Sequence, residues 1–144
     1  MRIYVDSSAL LKRVFDERGS DALRSTMDAY AHDGSVLVSS SLAWIEVSRA
    51  LRARLAGSDD TVVEKWSVTA LSGILERPIN ADIVALARRL GPPILRTLDA
   101  IHMASALLTD VGVMIVYDLR LLDAARHHGL TSVSPGARMD ALNS

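Results

Sequence analysis

Cysteine is absent from this 144-residue chain, and aromatic residues are scarce: one phenylalanine, three tyrosines and two tryptophans. The first absence excludes a disulfide framework, a thiolate metal site and a cysteine nucleophile. The second means that a chain 49% hydrophobic but only 4% aromatic must build its core from Ala, Leu, Val and Ile. Lysine is nearly missing too, with Lys12 and Lys65 the only two, so the positive charge is almost all arginine. Arginine suits bidentate phosphate contacts, although heavy arginine usage also follows from genomic base composition. A formal net charge of -1 and a pI near 6.4 give no global field to attract nucleic acid, so RNA binding requires a local basic patch. No apolar run approaches a membrane span, and the chain starts on a strand pattern rather than a signal peptide. The expectation is a cytoplasmic protein without membrane attachment.

The length accommodates one domain with a real core and is short for two. A mean hydropathy of +0.21 is high for a small soluble monomer and points to apolar surface covered by a partner. Strand patterns at residues 2–5, 35–40, 75–79, 113–118 and 130–133 alternate with helical patterns at 7–17, 19–34, 41–57, 58–75, 80–91, 98–112 and 119–129. Ser20 or Asp21 reads as the N-cap of the second helix, Gly34 as its stop, and Asn80 as the cap of the fifth. This alternation predicts an α/β fold with a mainly parallel central sheet of four to five strands and helices on both faces. Residues 1–135 read as the domain and residues 136–144 as a mobile C-terminal tail.

Four acids fall where packing alone does not ask for them. Asp6 follows the apolar strand "RIYV", and Asp118 follows "VMIVY" in the same way. Each is suited to capping the next helix, worth about 1 kcal/mol, and each equally sits where open parallel sheets bind ligands, outside the carboxyl ends of their strands. Glu46 shares a helical stripe with Leu42, Ile45, Ala50 and Leu51. A carboxylate there must be paired, with Arg49 or Arg54 at the edge of the stripe, or must bind a metal. Asp99 lies at the start of a very apolar helix, which can return to the same rim of the sheet. Carboxylates gathered this way repel one another and call for a cation. An all-oxygen set suits Mg²⁺ or Mn²⁺, whose main chemistry at such sites is phosphodiester hydrolysis.

The segments carrying these acids are "YVDSSALLK", "SSLAWIEVSRAL", "LRTLDAIHMASAL" and "VYDLRLLDAARHHGL". In order and spacing they resemble the four blocks of a PIN domain of the VapC type, the toxin of bacterial type II toxin–antitoxin pairs. The resemblance implies a three-layer α/β/α fold and an Mg²⁺- or Mn²⁺-dependent endoribonuclease acting on RNA such as tRNA or rRNA. It also implies a homodimer inhibited by a VapB-type antitoxin. It carries Asp6, Glu46, Asp99 and Asp118 over as catalytic and metal-holding acids, with Ser7 or Ser8 offering a hydroxyl near the metal or a cap for the first helix. The chain departs at Val116, where the family usually has Thr or Ser. That departure keeps open the alternative of a weakened or silent PIN-like module that binds RNA or protein.

Other chemistries find less support. A dehalogenase-type phosphatase needs a second Asp where Ser8 stands, a receiver domain needs a lysine after Lys65, and no G-x-S-x-G elbow is present. His102, one turn after Asp99, reads first as a hydrogen-bonded packing residue and second as a substrate contact. His32, His127 and His128 sit near helix ends, and no two histidines have metal-ligand spacing. Candidate RNA-binding cations around the acidic rim are Lys12, Arg13, Arg49, Arg96 and Arg120, each with solvated surface charge as its plain alternative. Trp44 and Trp66 are read as core or interface anchors before base-stacking platforms.

Overall fold

The computed structural model describes residues 1–138. The elements run β1 (Arg2–Val5), α1 (Ser7–Val14), α2 (Ser20–His32), β2 (Val36–Ser40), α3 (Ser41–Arg54), α4 (Asp60–Leu71), β3 (Leu75–Arg77), α5 (Ala81–Ala87), α6 (Thr97–Leu108), β4 (Val113–Ile115), α7 (Leu119–His127) and β5 (Ser132–Val133). The five strands form one sheet in the order β3-β2-β1-β4-β5, with every pairing parallel. The architecture is the three-layer α/β/α arrangement expected from the alternation of patterns.

Why the strands read as unbroken apolar runs is clear from their two faces. Ile3, Val5, Leu37, Val113 and Ile115 pack beneath α1 to α4, against Leu10, Leu23, Val47, Leu51 and Val63. Tyr4, Val38, Met114 and Val116 face the other way, against Met103 and Ala106 of α6 and Leu121, Leu122 and Ala124 of α7. A parallel sheet covered on both faces leaves no polar side to its central strands. Sequence neighbours therefore alternate between two cores rather than between core and water.

Strand order places the site. From β1 the chain moves outward through β2 and β3, then returns to the other side of β1 as β4 and β5, so the order reverses between β1 and β4. Ligands of open α/β sheets bind at this reversal, beyond the carboxyl ends of the strands. Asp6 follows β1 and Asp118 follows β4, and the Asp6 backbone N–H extends the ladder to the Ile115 carbonyl at 3.0 Å.

Several boundaries differ from expectation. α1 stops at Val14, short of residue 17, because Phe15 turns extended and stacks on Trp66 with ring centroids 5.0 Å apart. The N-cap of α2 is Gly19, with φ +85° and no side-chain cap, whereas Asp21 lies in the first helical turn. Ser20 is buried inside the helix start, its Oγ donating to the carbonyls of Lys12 and Phe15, so it ties α1 to α2 rather than capping. α6 ends at Leu108, four residues early, because Asp110 at φ +55° turns the chain into β4. Gly34, at φ +79°, does end α2 as expected, and Asn80 caps α5 through the Ile83 N–H. Of the predicted tail, Gly136 lies against Gly19 and Ala137 N–H bonds Ser134 O; residues 139–144 lie outside the described residues.

Candidate active site

All four acids predicted from the sequence line one cavity of about 290 Å³ at the strand-order reversal, together with Ser7, Ser8 and His102. A larger cavity of about 640 Å³ between α5 and α6, lined by Ile79, Val84, Leu90 and Ile101 among others, contains none of them.

The question of cap or ligand at Asp6 has a double answer. Its Oδ2 accepts from the Ser8 N–H at 3.2 Å and the Ser8 hydroxyl at 2.6 Å, which caps α1. Its Oδ1 lies on the cavity side, 3.7 Å from His102 Nε2, and the residue is only 4% exposed. Ser8 in turn accepts from the Tyr117 N–H at 3.1 Å, so it holds Asp6 and β4 together and is not itself the cap. Asp118 follows the same pattern at α7, where one oxygen, Oδ1, takes both the Arg120 and Leu121 N–H groups at 3.0 and 3.1 Å. Capping anchors one carboxylate oxygen to the backbone and so fixes where the other can point. The two roles are compatible.

Glu46 is placed by Ser7 and His102 rather than by an arginine of its own helix. Neither Arg49 nor Arg54 pairs with it; Arg54 lies over the Phe15 ring. Its stripe is also narrower than expected, since Ile45 is 57% exposed. Glu46 Oε1 instead accepts from the Ser7 hydroxyl at 2.6 Å and meets His102 Nε2 at 2.5 Å. Burial alone would raise the Glu46 carboxyl, but the His102 hydrogen bond and charge, with the Ser7 bond, reverse that and hold its pKa below the ordinary value. His102 shows the complementary effect. Its burial opposes a charge, but the bond to Glu46 and the charges of Asp6, Glu46 and Asp99 outweigh burial and raise its pKa.

Asp99, in the first turn of α6, is half-buried. Burial first, then the charges of Asp118 and Asp6, raise its pKa above the ordinary carboxylate value, with His102 and Arg120 pulling the other way. Burial and the neighbouring carboxylates together outweigh the two nearby cationic groups. The all-oxygen set of Asp6, Glu46, Asp99 and Asp118 fits a hard divalent cation, which would relieve that repulsion. Among the described residues no three acids or histidines already stand in a metal-holding geometry. The carboxylates line the cavity but would have to close in on an ion.

The predicted basic rim divides. Lys12 is held by the Arg18 carbonyl at 2.8 Å and Glu17 at 3.2 Å, with its Nζ over the Tyr117 ring. Arg13 donates to the carbonyls of Ala70 and Ser72 and clamps α1 to the end of α4. Both are structural. Arg49, Arg96 and Arg120 are exposed, and Arg120 is close enough to Asp99 to affect its titration. Val116 is fully buried in the second core and does not line the acidic cavity. His102 is the buried, hydrogen-bonded residue expected first, and what sequence reasoning missed is that its partner is Glu46. The signal was present in Tyr4, a buried polar-tipped side chain on the face of β1 that packs against α6.

Comparison with known proteins identifies the family. The PIN domain profile matches residues 3–139. The chain is 34% identical over 137 residues to Ribonuclease VapC47 of Mycobacterium tuberculosis, covering 94% of this chain and 98% of that protein. It is 39% identical over 140 residues to Ribonuclease VapC46 of the same organism, covering 92% and 97%. The chain therefore belongs to the PIN domain family and, within it, to the VapC ribonucleases. Its fold is that of a chain in the crystal structure of VapBC2 from Rickettsia felis bound to a DNA fragment from their promoter. That likeness has a TM-score of 0.72 at 11% identity and covers 92% of this chain and 98% of that one. PAE2754 from Pyrobaculum aerophilum is similar at TM-score 0.57 and 22% identity, over 92% and 83%.

Proposed function

We infer that this chain is the toxin of a type II toxin–antitoxin pair, a cytoplasmic endoribonuclease that hydrolyses phosphodiester bonds of RNA such as tRNA or rRNA in an Mg²⁺- or Mn²⁺-dependent manner. The observation that carries this reading is the convergence of Asp6, Glu46, Asp99 and Asp118, from four separate segments, on one cavity at the strand-order reversal. Asp6, Asp99 and Asp118, with Glu46, are the residues that would hold the cation. When bound, the ion neutralises the scissile phosphate and lowers the pKa of the attacking water. The protein's own part is to keep the carboxylates in register. Ser8 fixes one oxygen of Asp6, the α7 N-terminus fixes one oxygen of Asp118, and Ser7 holds Glu46. Arg49, Arg96 and Arg120 are the exposed cations available to the RNA backbone.

The proposed partners are a VapB-type antitoxin and a second copy of the chain. The structural neighbour crystallised as VapBC2 supports the first. Exposed Ile45 on α3 and Val68 on α4, in a chain of high mean hydropathy, support a surface covered by protein. No helix among the described residues is long and apolar enough to cross a membrane. The silent-module reading rested on Val116, which packs in the core and lends it no support. The test is to incubate the purified chain with total RNA in Mn²⁺ and in EDTA. Discrete cleavage products confined to the Mn²⁺ arm are expected; RNA left intact in both arms, with the chain folded by circular dichroism, would overturn the assignment.

A further inference from the structure

A single polar thread crosses the second core. The Ser40 N–H donates to Tyr4 Oη at 3.2 Å, Tyr4 OH meets His102 Nδ1 at 2.6 Å, and His102 Nε2 meets Glu46 Oε1 at 2.5 Å. Tyr4 is fully buried and His102 is 2% exposed, with their rings edge-on at 5.9 Å. Their surroundings are apolar: Tyr4 shares its core with Val38, Met103 and Met114. A buried hydroxyl and imidazole are costly to desolvate unless every donor and acceptor is met, and an apolar pair of the same shape would fill the space without that demand. Here the demand is met completely, since among the described residues no buried side-chain nitrogen or oxygen lacks a partner. The thread reaches the cavity at its Glu46 end, where His102 and Glu46 both line it.

We propose that His102 is a positioning residue for Glu46, oriented from behind by Tyr4 and Ser40, and that it fixes which oxygen of Glu46 serves the metal site. Tyr4 accepts from Ser40 on one side and meets Nδ1 on the other, and because a carboxylate can only accept, Nε2 carries the hydrogen directed at Glu46. Oε1 receives two donors, Nε2–H and the Ser7 hydroxyl. Oε2 takes neither of these bonds and is the oxygen that would serve the cation. Three elements meet in this linkage: Glu46 on α3, Tyr4 on β1 and His102 on α6, one turn beyond Asp99. It therefore holds Glu46 in fixed relation to Asp6 and Asp99. Partners standing behind a metal-site carboxylate commonly set metal affinity or activity by about ten- to a hundredfold. The inference rests on the reading of Glu46 as part of the metal-holding set.

The test compares His102→Leu, His102→Gln and His102→Asn with the unaltered chain and with Glu46→Gln. Gln places its amide nitrogen near the position of Nε2, whereas Asn places its own near Nδ1. Mn²⁺ binding is read by calorimetry without RNA, and cleavage by steady-state kinetics at saturating Mn²⁺ across a series of RNA concentrations. The Leu and Asn variants are expected to bind Mn²⁺ about tenfold or more weakly and to cleave at least tenfold more slowly, with KM for RNA unchanged. Gln is expected to recover most of both. If the Leu variant does not fold, the Asn and Gln pair alone decides the matter, and equal Mn²⁺ affinities for the two would overturn the proposal. A Leu variant that melts lower yet binds Mn²⁺ and cleaves like the unaltered chain would likewise reduce His102 to packing. Glu46→Gln separates this failure from that of the parent reading: if it retains full Mn²⁺ affinity and cleavage, Glu46 lies outside the machinery altogether.

Discussion

Asp118 allows the two roles of a strand-exit acid to be separated experimentally. Its Oδ1 takes two backbone N–H groups at the start of α7, and Asn can do the same at an N-cap almost as well as Asp, whereas Ala cannot. Asp118→Ala should therefore lose about 1 kcal/mol. Unfolding entropy of about 2.1 cal/mol/K per residue makes 1 kcal/mol equivalent to roughly 3 °C in a chain of this size. In EDTA the Ala variant should melt about 3 °C below Asp118→Asn. The Asn variant should stay close to the unaltered chain, because removing the charge relieves its repulsion of Asp99. Metal separates the unaltered chain from both variants. Mn²⁺ at about a hundred times its Kd should stabilise the unaltered chain by about 2.7 kcal/mol, about 9 °C on the same scale, and both variants should lose most of that rise along with RNA cleavage. The assay is differential scanning fluorimetry at constant ionic strength, paired with single-turnover cleavage. Near-normal cleavage and a full Mn²⁺ response in Asp118→Asn would show that Asp118 is a cap and nothing more.

Three further outcomes are expected. Val116→Thr should lower stability by about 1 to 3 kcal/mol through a poorly partnered buried hydroxyl and leave single-turnover cleavage unchanged, since Val116 does not line the cavity; faster cleavage at limiting Mn²⁺ would refute this. Arg13→Ala should lower the melting temperature through loss of its bonds to the Ala70 and Ser72 carbonyls without altering the salt dependence of RNA binding, whereas Arg120→Ala should reduce the slope of that dependence by about one phosphate contact, both read by fluorescence anisotropy across a salt series. Gly136→Ala should destabilise far more than Gly34→Ala. Both have positive φ, but an added Cβ at Gly136 falls 2.7 Å from Gly19 Cα and one at Gly34 meets nothing within 4 Å; equal melting temperatures for the two variants would contradict the close packing of residue 136 on the start of α2.

Local chemistry was enough to determine the order of elements in this protein and the anomaly of its acids. Alternating apolar runs and capped helical periods require a parallel sheet covered on both sides, and an acid at a strand exit needs no knowledge of distant residues to be noticed. Boundaries were less legible because the stops are tertiary: α1 ends where Phe15 finds Trp66, and Ser20 leaves the cap position to bond the end of α1. Partners of long side chains were not legible at all. Arg49 and Arg54 are within a helical turn or two of Glu46, yet its carboxylate is held by Ser7 and by His102, 56 residues away. Lys12 and Arg13 lie on the chain beside the site but spend their charge on backbone carbonyls and Glu17. Which strand lies beside β1, and hence where four scattered acids meet, depends on the sheet order alone. A sequence specifies which side chains must be satisfied, and only the folded chain brings within 3 Å the groups that satisfy them.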